Sequence, residues 1–230
     1  MSDFISSSSF FGLWLTLTVY FIGRAINKKT YFRWLNPLLF STVVIILLLL
    51  GTGTDYQTYN SSAQYLSYLL TPSTVCFGIL LYKQWEMLKS NYKAILLGIG
   101  SGVLASLICV LGCAVIFGFT HAEYVTFLPK SITTAIGKAV SEELGGYPAI
   151  TSLAIIISGI IGNITAEAVC RLFKITDPVA AGIAIGTSSH AIGTSKAIEL
   201  GEVQGAMSSL SIVVAGLITV LAANLASGLY

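Results

Sequence analysis

The sequence is poor in charged residues. Only 10% of its 230 residues are Asp, Glu, Lys or Arg, whereas soluble domains carry about 25%. Hydrophobic residues make up 55% of the chain. Soluble enzymes, disordered proteins and fibrous proteins do not have this composition. We therefore expect an integral membrane protein whose main partner is the lipid bilayer.

A large net charge and a cysteine motif for metal or redox chemistry are also missing. A net charge of +2 gives no basic field that would hold a polyanion, so nucleic acid is not expected as a partner. The four cysteines lie in or beside apolar runs, and no two of them have the CxxC spacing of a metal or redox site. We expect neither a metal site nor a cofactor.

Apolar runs of a length that suits a bilayer recur along the chain. They cover residues 4–23, 37–53, 65–82, 94–119, 148–169, 178–198 and 203–229. A further stretch, 126–145, is too polar for a simple span and is interpreted as a re-entrant or interfacial helix. The predicted fold class is an all-α polytopic membrane protein, with residues 1–230 forming a single membrane domain and 4–23 the first transmembrane helix.

Lysine and arginine in short connections predict the orientation. They are concentrated in three connections, at Arg24, Lys28, Lys29 and Arg33, at Lys83, Lys89 and Lys93, and at Arg171 and Lys174. All three lie on one side if 126–145 enters and leaves by the same face. This predicts seven crossings, with the N-terminus outside and the basic connections and the C-terminus in the cytoplasm.

The chain also contains an internal repeat. A shift of 111 residues superposes Pro37 on Pro148 and Gly51 on Gly162, which gives repeat 1 over 37–119 and repeat 2 over 148–229. Each repeat has three elements, so the second copy must be inverted, as in many transporters. The alternative is a chance match between segments of similar composition. An inverted repeat predicts a transporter-like bundle with two broken helices that meet at the bilayer midplane.

The first candidate break is Thr71-Pro72-Ser73-Thr74 in the run 65–82. Proline removes a backbone donor and clashes with the preceding turn, which predicts a break at Pro72. Thr71, Ser73 and Thr74 are candidate substrate-binding residues. The alternative is a simple proline kink whose freed carbonyls are satisfied by these hydroxyls.

The second candidate break lies between Gly186 and Lys196, and we expect it to face the first across the repeat axis. The polar residues of this segment are candidate substrate ligands: Thr187, Ser188, Ser189, His190, Thr194 and Lys196. Gly186 and Gly193 permit local unwinding. His190 is also a candidate for proton coupling. The alternative for His190 is a neutral imidazole that bonds to a neighbouring hydroxyl or carbonyl.

A third polar segment begins at Pro129, which predicts a break followed by a helix start. Lys130 stands at the positive amino end of that helix, where an anion is favoured. The substrate-binding candidates here are Lys130, Ser131, Thr133 and Thr134. Glu142 is a second candidate for proton coupling. The alternative is an amphipathic interfacial helix whose charged residues lie among lipid headgroups: Lys130, Lys138, Glu142 and Glu143.

Three strings resemble the LrgB/CidB family: LLTPSTVCFGILLYKQ (69–84), LPKSITTAIGKAVSEELGG (128–146) and DPVAAGIAIGTSSHAIGTSKAIELGEVQGAMSSL (177–210). The resemblance covers nearly the whole chain, although Lys196 stands where arginine is usual. It implies an antiholin-like protein linked to murein hydrolase control, and a relation to a plant plastid glycolate/glycerate transporter. It also implies an LrgA/CidA-type small membrane partner and a bacterial inner-membrane location, and we further expect a homo-oligomer.

Two functions follow from these observations. The first is a secondary carrier for a small monocarboxylate of the glycolate, glycerate, lactate or pyruvate class, with or without proton coupling. The alternative is a regulator that restrains a holin-type partner through helix faces of small residues. An enzyme is not expected, because Ser189 and His190 are adjacent and point about 100° apart on a helix, so they cannot pair as nucleophile and base.

Overall fold

The computed structural model describes residues 10–29 and 37–230, and all its regular elements are helical. Residues 4–9 of the first predicted span, and Arg33, lie outside the described residues. The chain divides into two compact units, one ending at Cys76 and the other running from Phe77 to Tyr230.

The first unit contains three α-helices, a 3-10 helix and the start of a further α-helix. The helices are α1 (Phe11–Lys29), α2 (Pro37–Thr52), α3 (Tyr56–Ala63), a 3-10 helix (Gln64–Leu69) and α4 (Leu70–Lys83), which continues past the boundary. Helix α1 packs on α2 and α3. Polar contacts hold α1 to α3, because the Gly12 N–H donates to Ser62 Oγ at 2.9 Å and Thr16 Oγ1 lies 2.7 Å from Tyr59 Oη.

The helix does not break at Pro72, where a break was predicted. Helix α4 is continuous from Leu70 to Lys83, and the irregularity is the 3-10 helix that ends at Leu69. Pro72 is the third residue of α4, where a backbone N–H has no partner within the helix. Proline is therefore accommodated in this first turn without breaking the helix.

The second unit contains the long helices. They are α5 (Trp85–Phe117), α6 (His121–Phe127), α7 (Thr134–Glu143), α8 (Pro148–Leu172), α9 (Pro178–Leu200) and α10 (Glu202–Ser227). Helices α5, α8 and α10 are long and apolar enough to cross a bilayer, and α2 is a shorter apolar helix. On α10 the exposed row Val213, Leu217, Leu221 and Leu225 forms a face suited to lipid. The prediction of an all-α polytopic membrane protein is confirmed.

Helix α9 reverses its direction at His190. The backbone there has φ 42° and ψ −140°, which separates two helical halves. His190 Nε2 lies 3.0 Å from the Ile155 carbonyl in the first half of α8, whereas Lys196 Nζ lies 3.7 Å from Glu167 near the end of α8. After His190 the chain therefore runs back toward the face from which α9 started.

Contacts between α9 and α10 also show that the second half of α9 runs back toward the face where α9 began. Gly182 in the first half of α9 lies against Gln204, and Ile198 in the second half lies against Gly205. Both ends of α9 therefore meet the start of α10. At 1.5 Å per residue each half is about 15–18 Å long, roughly half a bilayer. The predicted span 178–198 was wrong as a crossing, because the segment is a re-entrant hairpin.

Helices α6 and α7 form a second hairpin that enters from the opposite face. Tyr124 Oη donates to the Ala226 carbonyl at the end of α10, at 2.9 Å, so α6 lies near that face. The turn between α6 and α7 lies deeper, because Ser131 Oγ is 3.1 Å from Ser106 Oγ in the interior of α5. The two short helical arms, His121–Phe127 and Thr134–Glu143, are joined by a turn, and the predicted stretch 126–145 covers the end of the first arm, the turn and the second arm.

Buried hydroxyl groups fasten this hairpin to α8. Thr151 Oγ1 on α8 donates to the Thr126 carbonyl at 3.0 Å, and it lies 2.7 Å from Ser141 Oγ. At the surface, α6 begins with a capping box in which the Thr120 N–H donates to Glu123 at 2.7 Å. This backbone hydrogen bond and the Thr120 hydroxyl hold the pKa of Glu123 below its usual value.

The ends of the second unit define two faces. Lys83 pairs with Glu202 at 3.2 Å, and Lys174 lines the same small cleft as Gln204, so these lysines share one face. Tyr230 Oη donates to the Ala114 carbonyl near the end of α5, on the other face. Within the second unit, the prediction that the C-terminus shares the face of Lys83 and Lys174 was wrong, because the reversal at His190 removes one crossing. Which face is cytoplasmic stays a prediction.

Candidate functional site

A cleft of about 1210 Å³ lies between the tips of the two hairpins and α5 and α8. Five of the residues predicted from sequence line it together: Lys130, Ser131, Thr187, Ser188 and Ser189. Sequence reasoning missed further hydroxyls in its wall, at Ser101, Ser106 and Ser158. They stand alone in apolar runs, so only the helical register of α5 and α8 could have identified them.

The α6–α7 tip brings a cation into the cleft. Lys130 is half-buried, and its Nζ lies 3.2 Å from Ser131 Oγ. None of the ion pairs among the described residues includes Lys130. Helix α7 begins after Thr133, close to the predicted start, but the Thr133 hydroxyl makes no capping bond there. The amino end of α7 thus adds its partial positive charge close to Lys130.

The α9 tip supplies hydroxyls from the opposite face. Ser188 Oγ and Ser189 Oγ lie 2.9 Å apart at the end of the first half of α9. Two glycines of α8 make room for this tip: a Cβ on Gly159 would lie 2.7 Å from His190 Nε2, and one on Gly162 would lie 2.6 Å from Ser189 Cβ. The amino end of the second half of α9 therefore begins at the depth of the cleft.

The two tips lie at nearly the same depth along α5. Thr187 packs against Gly102, and Ser131 contacts Ser106, four residues further on. Four residues of an α-helix rise about 6 Å. Polar groups from both faces thus lie only slightly more than one helical turn apart along α5. On α8 the α9 tip contacts Gly159, which is close to the middle of Pro148–Leu172.

His190 and Thr194 serve the reversal and do not line the cleft. The His190 Nε2–H donates to the Ile155 carbonyl, and the Thr194 hydroxyl donates to the His190 carbonyl at 2.9 Å. Thr194 Oγ1 also lies 2.7 Å from Ser208 Oγ on α10. The break occurs at His190 itself, whereas Gly186 and Gly193, predicted as break points, are helical. Proton coupling through His190 stays a prediction.

No role was predicted for Asn163. Its Nδ2 donates to the Ile192 carbonyl at 2.7 Å and to Ser195 Oγ at 3.0 Å. It therefore ties the returning half of α9 to α8. An amide in the middle of an apolar span could have indicated a contact with another helix, since polar groups in hydrocarbon need hydrogen-bond partners.

Lys196 belongs to a charged cluster at the face that carries Lys83 and Lys174, here called the lysine-bearing face. Its ammonium group lies 3.1 Å from Glu199 and 3.7 Å from Glu167, and Glu167 also pairs with Arg171, as the i,i+4 spacing predicts. Lys196 does not line the cleft. Its predicted role as a ligand stays a prediction.

The remaining candidates are dispersed. Thr133 and Thr134 are half-buried at the start of α7, and Glu142 is exposed near its end. Pro129 lies in the turn before α7, where the break was predicted. Thr71, Ser73 and Thr74 lie in α4, their side chains are outside the described part of the structure, and their role stays a prediction.

Comparison with known proteins identifies a family over nearly the whole chain. The sequence model of the LrgB-like family matches residues 16–229. No solved structure matches the chain. The matched region includes both hairpins and every residue that lines the cleft.

Proposed function

We propose that this chain, which belongs to the LrgB-like family, is a secondary carrier that moves a small monocarboxylate across the membrane. The observation that supports this most strongly is the meeting of two oppositely directed hairpins at one hydroxyl-lined cleft that contains Lys130. Broken helices that direct their ends at the bilayer midplane are typical of transporter sites.

The charge of the cleft favours a single carboxylate. Lys130 supplies one positive charge, and the amino ends of α7 and of the second half of α9 each supply about half a unit. The other charged residue of the lining is Asp177, which accepts from the Ala180 N–H at the lysine-bearing face, at the start of α9. A carboxylate at the level of Lys130 therefore replaces its water with fixed positive groups.

The hairpins also suit alternating access. Each tip is reached from a different face, and side-chain hydrogen bonds such as those of Asn163 and Thr151 join each hairpin to α8. A movement of either hairpin would open the cleft toward that hairpin's own face. This mechanism is the general one for carriers built around a central site.

The proposal also includes proton coupling, a bacterial inner-membrane location and an LrgA/CidA-type partner.

The test uses the full chain alone, purified and reconstituted in liposomes. We expect saturable uptake of at least one labelled acid among glycolate, glycerate, lactate and pyruvate. Empty liposomes, and liposomes with an unrelated membrane protein, provide the background. Folded protein that moves none of the four acids would contradict the carrier and favour the antiholin-like regulator.

A further inference from the structure

We propose that Ser106 on α5 is a positioning residue for Lys130. It acts through the hydroxyl group of Ser131, and this chain of hydrogen bonds holds the Lys130 ammonium group in the cleft before the substrate arrives. The inference rests on the proposed function, because it concerns how the cation of that same site is held. No role was predicted for Ser106, and its contact with Ser131 is the observation that assigns one.

The first observation is a chain of three polar side chains. Lys130 Nζ donates to Ser131 Oγ at 3.2 Å, and Ser131 Oγ lies 3.1 Å from Ser106 Oγ. An ammonium group has only donors, so the oxygen of Ser131 accepts from it. The Ser131 proton is then free for donation to the oxygen of Ser106. The three groups therefore form a chain that runs from Lys130 on the α6–α7 hairpin to Ser106 on α5.

The second observation is the use that the structure makes of the Ser106 hydroxyl. A serine in an apolar helix can satisfy its hydroxyl on the preceding turn of its own helix. Ser152 on α8 does so, because its Oγ donates to the Pro148 carbonyl at 2.8 Å. Among the described residues, the partner of the Ser106 hydroxyl is Ser131. Ser106 therefore joins two elements instead of bonding within its own helix.

The third observation is the place of this chain in the cleft. Lys130, Ser131 and Ser106 all line the cleft, and Ser131 is only 9% exposed. Lys130 takes part in none of the ion pairs among the described residues. The hydroxyl chain is therefore the contact that fixes its ammonium group. Two of the three ammonium protons remain for a substrate carboxylate.

An ammonium group that is held in advance binds an anion more tightly than a free one. The lysine side chain is a flexible stem, and it loses rotamer freedom when it is immobilised on an anion. A side chain that already has the binding geometry loses less freedom at that step, so more of the attraction remains as affinity. Loss of the Ser106 hydroxyl should therefore weaken substrate binding although the charge of Lys130 is kept.

The experiment measures initial uptake of a transported acid by the full chain in proteoliposomes. Ser106→Ala should raise the half-saturating concentration about three- to tenfold and leave the maximal rate close to that of the wild type. Ser152→Ala is the matched control, because Ser152 is also half-buried but lies outside the cleft lining and bonds within its own helix. It should leave both quantities unchanged.

A double-variant cycle separates positioning from other roles. In a Lys130→Ala chain, the further change Ser106→Ala should not raise the half-saturating concentration again, because the group that Ser106 positions is gone. Ser131→Ala keeps the lysine and removes the middle hydroxyl, so Ser106→Ala should add nothing there either. This second cycle gives the answer even where Lys130→Ala transports too slowly to measure.

Three results would count against these claims. An equal fold-change for Ser106→Ala with and without the Ser131 hydroxyl would overturn the inference, since Ser106 would then act on the substrate or on the whole fold. Wild-type affinity in Ser106→Ala would also overturn it and would leave the carrier intact. Wild-type liposomes that transport none of the four acids would overturn the carrier and the inference with it.

Discussion

Lys130→Ala should raise the half-saturating concentration for the transported acid about tenfold or more. The reason is the cost of moving a carboxylate out of bulk water into a cleft whose lining is mostly apolar. Lys130 is the one full positive charge among the described residues that line the cleft, and its partner there is the Ser131 hydroxyl. Without it, the helix ends alone must stabilise the anion.

The measurement is initial uptake against substrate concentration in proteoliposomes. Lys138→Ala is the matched control, because Lys138 is exposed on α7, eight residues along the chain. It should leave the uptake curve close to that of the wild type. Lys130→Arg, which keeps the charge, should lie between the wild type and Lys130→Ala. Equal transport by Lys130→Ala and Lys138→Ala would show that the charge of the cleft does not hold the substrate.

Gly186→Ala should destabilise the fold by about 1–3 kcal/mol. Gly186 lies where the first half of α9 meets α10, and a Cβ there would collide with the Ser208 carbonyl oxygen and come within 2.7 Å of Ser208 Cα. These atoms belong to the backbone of α10 and cannot rotate away. The two helices must separate, which weakens the most extensive helix contact of the second unit.

Thermal unfolding of the detergent-purified chain measures this effect. We expect the Tm of Gly186→Ala to fall by several degrees. Gly112→Ala is the control, because an added Cβ at Gly112 in α5 meets no atom within 4 Å. That variant should be neutral or slightly stabilising, since alanine favours helix more than glycine does. A Tm for Gly186→Ala equal to that of Gly112→Ala would contradict the tight packing of α9 on α10.

Composition and apolar length predicted much of the fold. The predicted runs 37–53, 148–169 and 203–229 closely match α2, α8 and α10, and Pro37 and Pro148 begin their helices as prolines often do. The polar segments around Lys130 and Ser189 were recognised because polar groups are costly in hydrocarbon and are usually retained there for function. The structure brings these two segments to the same cleft.

The reversal at His190 could not be predicted from sequence alone. Apolar length does not distinguish one crossing from two half-helices, and the glycines on either side suggested that the break lay at them. Their contacts show that these glycines permit close packing instead. Gly186 lets the backbone of α10 approach the first half of α9, and Gly193 lies against Ile185 in the other half of the hairpin. His190 adopts a positive φ, which is unusual for a residue other than glycine. Two hydrogen bonds hold it there: its ring donates to the Ile155 carbonyl, and its own carbonyl accepts from the Thr194 hydroxyl.

The hairpin of α9 also constrains the order in which the chain can be built into a membrane. Neither half is long enough to insert stably by itself, and the backbone at the turn leaves polar groups that hydrocarbon cannot satisfy. The groups that complete the hairpin come from α8, already synthesised, and from Ser208 on α10, which is made later. We therefore expect α9 to reach its final depth only after α10 has been translated.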